Sequence, residues 1–222
     1  MDFKSLHFDR DVVLLCMRWY LAYPLSYRNI EEMMLERGVS VDHSTLNRWV
    51  LRFTPALEKR FRKWKKPTGG SWRMDETYIL IKGKWSYLYR AVDKDGETID
   101  FLLRAHRDLT AARKFFEKAF RSSGRPEKIN IDKSGSNLAG IDFLDPFGHI
   151  KVRQVKYLNN IVEQDHRRIK RRVRPMMGFK SFRSAKITLG GIETLAMLKK
   201  AQSGYMPLFS HNPVDAFYQL TA

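Results

Sequence analysis

The 222-residue chain holds a single cysteine, Cys16. One thiol excludes an internal disulfide and any zinc site built on several cysteines, and it suits a reducing cytoplasm. No run of about 18 apolar residues occurs, so no membrane-spanning helix is expected. The first residues, Met-Asp-Phe-Lys-Ser-Leu-His, contain no apolar signal core. Acidic side chains are scarce at one end: residues 150–222 carry 14 Lys and Arg against 4 Asp and Glu. Residues 67–149 are nearly balanced, 14 against 12, and residues 1–66 carry 13 against 8. The formal net charge of +17 favours a polyanionic partner and says nothing about fold. Apolar residues make up 43% of the chain, enough for a packed core in one sizeable domain and a smaller one.

Residues 1–58 read as short helices. Asp9 can cap a helix through Val12, Val13, Leu14, Met17 and Tyr20, which Pro24 stops. Ser26 opens a second helix with Ile30, Met33, Met34 and Leu35 as its apolar positions, ended by Gly38. Asp42 caps a third, Ser44 to Phe53, with Leu46, Trp49, Val50 and Phe53 on one side. Two helices joined by a turn containing Gly suit a helix-turn-helix, and a generic three-helix packing unit satisfies the same pattern. In the first case Asn47, Arg48 and Arg52 stand nearest the DNA.

Residues 59–70, a basic run ending at Pro67, Gly69 and Gly70, read as a linker. Three strand-like runs follow at 72–81, 84–92 and 97–104, with Lys82-Gly83 and Asp93–Gly96 as hairpin-type turns. A helix at about 109–121, a strand at 128–131, a short strand near 151–155 and helices at 160–174 and 183–200 complete a domain over 71–202. Residues 134–150 carry no clear pattern, and 203–222 read as a tail.

Three acids are oddly placed. Asp75 sits in the apolar run Trp72–Ile81, Asp132 ends the run Lys128–Asp132, and Glu163 lies among arginines and lysines. Strand alternation sends Asp75 and Glu76 to opposite faces, so one of them is expected at any one site. On the 160–174 helix, at about 100° per residue, Glu163, Arg167, Lys170 and Arg174 share a stripe about 60° wide. The bland account is a Glu163–Arg167 ion pair on a solvated helix, worth about 0.3–0.5 kcal/mol. The alternative is that Glu163 holds a metal while the cations contact phosphates. Cutting a phosphodiester needs an activated oxygen nucleophile and a stabilised leaving oxygen, and two hard cations about 3.5–4 Å apart supply both. Carboxylates from separate elements are the ligands Mg²⁺ and Mn²⁺ prefer. Glu76 reads as a group that supports the ligands from behind or as a solvent group, Asp165 points away from Glu163 and is no ligand, His106 and His166 read as structural, and Trp49, Trp64, Trp72 and Trp85 read as core or interface residues rather than base-stacking platforms.

Met74-Asp-Glu-Thr-Tyr, Trp85-Ser-Tyr-Leu-Tyr-Arg-Ala-Val-Asp93, Asn130-Ile-Asp-Lys133, Val155-Lys-Tyr-Leu-Asn-Asn-Ile-Val-Glu-Gln-Asp-His-Arg167 and Gly178-Phe-Lys-Ser-Phe together resemble bacterial insertion-sequence transposases of the DDE class, nearest to the insertion sequence six family. The resemblance runs from the first helix to about Gln202. It implies an α/β, ribonuclease-H-like catalytic domain behind an N-terminal all-α helix-turn-helix domain. It also implies an Asp75, Asp132, Glu163 triad holding two Mg²⁺ ions, with Mn²⁺ able to substitute, and Lys170 as the basic residue following the Glu. The expected partners are the element's terminal inverted repeats and target DNA, handled by a homodimer or larger assembly in the bacterial cytoplasm, at the nucleoid. The stretch 134–150 departs from the family by being shorter, with a turn where a continuous helix is usual. Two other functions fit the residues: a DNA-binding repressor without catalysis, from a degenerate element, and a metal-dependent nuclease without strand transfer.

Overall fold

The structure is a computed structural model that describes residues 3, 6–204 and 212–222. It divides into two compact units, Met1–Lys66 with Ile169–Ala222, and Pro67–Arg168.

The first unit is all helical. Its N-terminal part comprises α1 (Arg10–Ala22), α2 (Tyr27–Leu35) and α3 (His43–Trp64). Ser26 closes α2 with a reciprocal capping box to Asn29, and Asp42 accepts hydrogen bonds from the Ser44 and Thr45 backbone at 2.9 and 3.0 Å. Asp9 occupies the N-cap position of α1 but makes no side-chain cap bond. Helix α3 runs about three turns past its expected end and absorbs the first half of the expected linker, with Pro55 inside it. A proline there removes a backbone hydrogen bond and kinks the helix, at about 3 kcal/mol. Burial of Leu57 and Phe61, both fully covered, offsets that loss.

The C-terminal helices of this unit are α7 (Phe182–Lys199) and α8 (Pro213–Thr221). Helix α7, expected to close the catalytic domain, instead packs against α1 and α3. Its Gly190-Gly191 pair explains the fit. A Cβ on Gly191 would stand 2.7 Å from Leu21 and Thr54, so only glycine admits those helices so closely. The expected tail folds in part as α8, which buries Phe217 and Leu220; its residues 205–211 lie outside the described residues.

The second unit holds one five-stranded sheet: β1 (Ser71–Ile81), β2 (Lys84–Asp93), β3 (Thr98–Arg104), β4 (Lys128–Asn130) and β5 (Lys151–Arg153). The order is β3-β2-β1-β4-β5, with β1, β2 and β3 antiparallel and β4 and β5 parallel to β1. Helices α4 (Leu109–Ser123) and α5 (Gly135–Leu144) follow β3 and β4. This is the ribonuclease-H-like arrangement. Lys82 and Gly83 both adopt left-handed backbone (φ +50° and +72°), the geometry a two-residue hairpin turn requires.

One sheet face buries Trp72, Met74, Tyr89 and Ala91 against Ala112, Phe115 and Phe116 of α4. The stretch expected as a turn is helix α5, packed closely on α4. A Cβ on Gly140 would stand 3.0 Å from the Ala112 Cβ. Helix α6 (Asn160–Val173) begins in this unit and ends in the other. On the opposite sheet face Arg90, fully buried, pairs with Asp165 of α6 at 3.2 Å. Asp165 is thus held in ion pairs with Arg90 and Arg168.

Candidate active site

Strand β4 pairs with β1 only at Ser71, Trp72 and Arg73. Beyond Arg73 that edge of β1 is open, and the next acids on it are Asp75 and Glu76. In register they stand opposite Arg90 and Tyr89, on alternate faces of the sheet. Alternation would separate them, yet each offers an oxygen to one cluster. Single oxygens of Asp75, Glu76 and Asp132 lie within 4.8 Å of one another. The two acids approach each other at the edge of β1 beside Asp132, which lies just past the end of β4. Glu76 is thus no solvent group: its side chain is 4% exposed and lies beside Asp132, so of its two expected places the one next to the ligands holds.

Arg107 lies in the loop between β3 and α4. Its Nη2 donates to Asp132 Oδ2 at 2.6 Å and stands 3.2 Å from Glu76 Oε2. Asn137 on α5 donates through Nδ2 to Glu76 Oε1 at 3.0 Å and to Asp132 Oδ1 at 3.2 Å. The Ser134 backbone N–H donates to Asp132 Oδ1 at 3.1 Å. The first turn of α5 therefore orients Asp132, a task the irregular pattern of residues 134–150 did not announce. No periodicity marks Arg107 either; its only signal is a cation immediately before the N-cap Asp108.

Burial pushes the Asp75 carboxyl up from the usual carboxylate range to about 7. A backbone hydrogen bond opposes the rise, and the charges of Glu76, Asp132 and Glu163 add to it. Burial raises Glu76 as well, against the pull of the Arg107 charge and the Asn137 hydrogen bond. His166 Nδ1 of α6 stands 3.7 Å from Asp75 Oδ2, so this buried histidine faces the cluster.

Of the three acids singled out in the sequence, Asp75 and Asp132 come together. Glu163 is exposed in the first turn of α6, outside that group of oxygens, and reaches Asp75 through its charge. Arg167, Lys170 and Arg174 are exposed.

On α3, Leu46, Trp49, Val50 and Phe53 are buried, which leaves Arg48 and Arg52 exposed and Asn47 half-buried. Arg48 and Arg52 line a cavity of about 810 Å³ together with Arg183 at the start of α7. Asn47 lines a second, of about 730 Å³, with Arg28, His43 and Lys180. Lys180 and Arg183 are cations that a reading of α3 alone overlooks. Among the described residues, no helix is long and apolar enough to cross a membrane.

Residues 69–202 match the family model of a DDE domain of the IS240 transposase type. The chain is 41% identical over 218 residues to the transposase for insertion sequence-like element IS431mec of Staphylococcus aureus strain Mu50, covering 95% of this chain and 94% of that protein. It is 40% identical, over the same shares, to the transposase for insertion sequence element IS257 in transposon Tn4003 of Staphylococcus aureus. Among solved structures, the catalytic core domain of HTLV-2 integrase in complex with magnesium is 17% identical, with a TM-score of 0.46 over 59% of this chain and 88% of that one. The catalytic core domain of BIV integrase is 16% identical, with a TM-score of 0.47 over 68% and 95%.

Proposed function

The chain belongs to the DDE-domain transposases of bacterial insertion sequences, and from that premise we propose that Asp75, Asp132 and Glu163 carry its DNA cleavage and joining chemistry. The observation that supports this reading most is the gathering of Asp75 and Asp132 oxygens, with Glu76, within 4.8 Å on the open edge of β1. Hard oxygens so close together suit Mg²⁺ or Mn²⁺ and repel one another without a cation. Two such ions supply polarisation of the attacking oxygen and stabilisation of the leaving oxygen of a phosphodiester.

The protein's own groups divide the remaining work. Asp75 and Asp132 hold the cation side, Glu163 completes the set from α6, and Glu76 adds a buried negative charge. Arg107 offsets part of the charge of Glu76 and Asp132 in the cation-free protein. Asn137 and the Ser134 backbone fix the orientation of Asp132. Arg167, Lys170 and Arg174 contact the DNA backbone. The 3′-hydroxyl freed at the element end is itself the nucleophile on target DNA, so no covalent protein intermediate forms.

Recognition falls to α3. Its Asn47, Arg48 and Arg52 enter the major groove of the terminal inverted repeats, with the helical first unit binding DNA and the second unit, Pro67–Arg168, carrying Asp75, Asp132 and Glu163. Two ends are joined in one event, which calls for a homodimer or larger assembly acting at the nucleoid.

A strand-transfer assay on a pre-cut element end, with Mg²⁺ and supercoiled target, tests the function. Joined product is expected. Nicks alone would make the protein a nuclease, and a shifted but uncut end would make it a repressor.

A further inference from the structure

The outer part of the β1–β2 hairpin carries aromatic side chains that the fold leaves in water. Tyr78 stands opposite Tyr87, and Leu80 opposite Trp85. By strand alternation Glu76, Tyr78 and Leu80 share a face with Tyr89, Tyr87 and Trp85. Tyr78 is 51% exposed and Trp85 61% exposed, so of the two places expected for Trp85, core or interface, the core is excluded. The rings brace one another. Tyr78 and Trp85 meet edge-on with centroids 6.1 Å apart, and Tyr78 and Tyr87 meet at 5.4 Å. Lys82 and Lys84 at the turn are exposed, and Arg104 of β3 stands opposite Tyr87. Between Glu76 and Asp93 the chain has no acidic residue.

We propose that Tyr78 and Trp85, backed by the partly buried Tyr87, form a stacking platform for unpaired bases of the DNA strand being processed, with Lys82 at the turn and Arg104 on the same face as Tyr87 holding the adjoining phosphates. An aromatic surface interleaved with cations is the chemistry that binds single-stranded nucleic acid without regard to sequence. The placement fits the task. Tyr78 follows Glu76 by two residues on the same face, about 7 Å along the strand. The row therefore begins two residues from Glu76, on the sheet face opposite Asp75, and leads from the acidic cluster toward the hairpin turn. A second copy of this chain is the poorer occupant. A two-fold contact would set Lys82 and Lys84 near their own symmetry mates, with no acid in the hairpin to answer them. The position beside the cut rests on the proposed function of Asp75 and Asp132; the capacity to bind single strands does not.

The test uses the full chain in EDTA and a short labelled oligothymidine, with a duplex of the same length as control, read by fluorescence anisotropy. The double variant Tyr78→Ala, Trp85→Ala should bind the single strand about tenfold to a hundredfold more weakly, with duplex affinity within about twofold of wild type and a normal melting temperature. Trp85→Phe should restore most of the loss. Asp75→Asn should bind the oligothymidine as wild type does, which separates failure of the platform from failure of the active-site reading. On the unaltered protein, ultraviolet cross-linking of 5-bromouracil oligonucleotides should map to Tyr78, Tyr87 or Trp85. Unchanged single-strand affinity, an equal loss for duplex, a change of oligomeric state in the double variant, or cross-links confined to other residues would each overturn the proposal.

Discussion

The acidic cluster on the edge of β1 and the cationic surface of α3 place charge in opposite ways. In the cluster, Glu76 is almost fully buried, Asp75 is mostly buried, and Arg107 sits between Glu76 and Asp132. On α3, Arg48 and Arg52 stand in solvent on the back of a helix whose other side is packed. Charge gathered out of water is under strain that a cation relieves, because desolvation penalises every ionised group. Charge left in water is under none. The first region is built to change when its ligand arrives; the second is built to stay as it is.

The largest effect separates the two regions outright. Asp75→Asn and Glu163→Gln should each lower cleavage and joining by about a thousandfold or more while leaving binding to the element end intact by gel shift. Loss of binding in step with loss of cleavage would erase the distinction.

The next sharpens it. An unfolded aspartate titrates near 4, whereas the Asp75 carboxyl in the fold titrates at about 7. Between these values the folded state keeps a proton that the unfolded state has lost. Stability of the metal-free protein therefore falls as pH rises from about 4 to about 7 and levels off above. Asp75→Asn should remove that slope and stabilise the protein at pH 8 by on the order of 2–4 kcal/mol, measured by denaturant titration. A variant that is more stable and inactive is the signature of a group kept for function. Divalent-cation affinity, measured by calorimetry, should rise through the same pH range as Asp75 loses its proton.

Arg107→Ala comes third. It leaves Glu76 buried beside Asp132 without a cation, at about 1–3 kcal/mol once the partial exposure of Arg107 is allowed for. The melting temperature should drop by several degrees in EDTA and recover in Mg²⁺. A drop that Mg²⁺ does not reverse would separate the cluster from cation binding.

The smallest effect belongs to the exposed region. Arg48→Ala should weaken discrimination for the terminal repeat by about 1–3 kcal/mol, with melting unchanged. Competition binding against unrelated duplex reads this, and unchanged discrimination would reject α3 as the recognition helix.

The same contrast explains what could be read from the chain. Patterns of burial were legible: the strands from Ser71 to Arg104, the Lys82-Gly83 turn and the helix caps at Ser26 and Asp42 follow from alternation and local hydrogen bonding. Asp75 and Asp132 were legible as acids in apolar runs. What escaped depends on distant partners. Glu76 joins the cluster in company with Arg107 and Asn137, which come from outside its strand. Arg107 and Asn137 reach the site from a loop and from a helix that lacks a clean apolar stripe. Helix α3 outruns Pro55 because Leu57 and Phe61 find cover in the first unit, and α7 joins that unit through glycines whose spacing alone names no neighbour.

The central claim is that Asp132 and Glu163, brought from separate elements, hold the divalent cation that drives joining. Its most direct test is strand transfer of a pre-cut end by Asp132→Cys and Glu163→Cys, compared in Mg²⁺ and in Mn²⁺. A thiolate is a poor ligand for Mg²⁺ and a better one for Mn²⁺. Both variants should be inactive in Mg²⁺ and regain joining in Mn²⁺; joining at the wild-type rate in Mg²⁺ by either one would contradict the account.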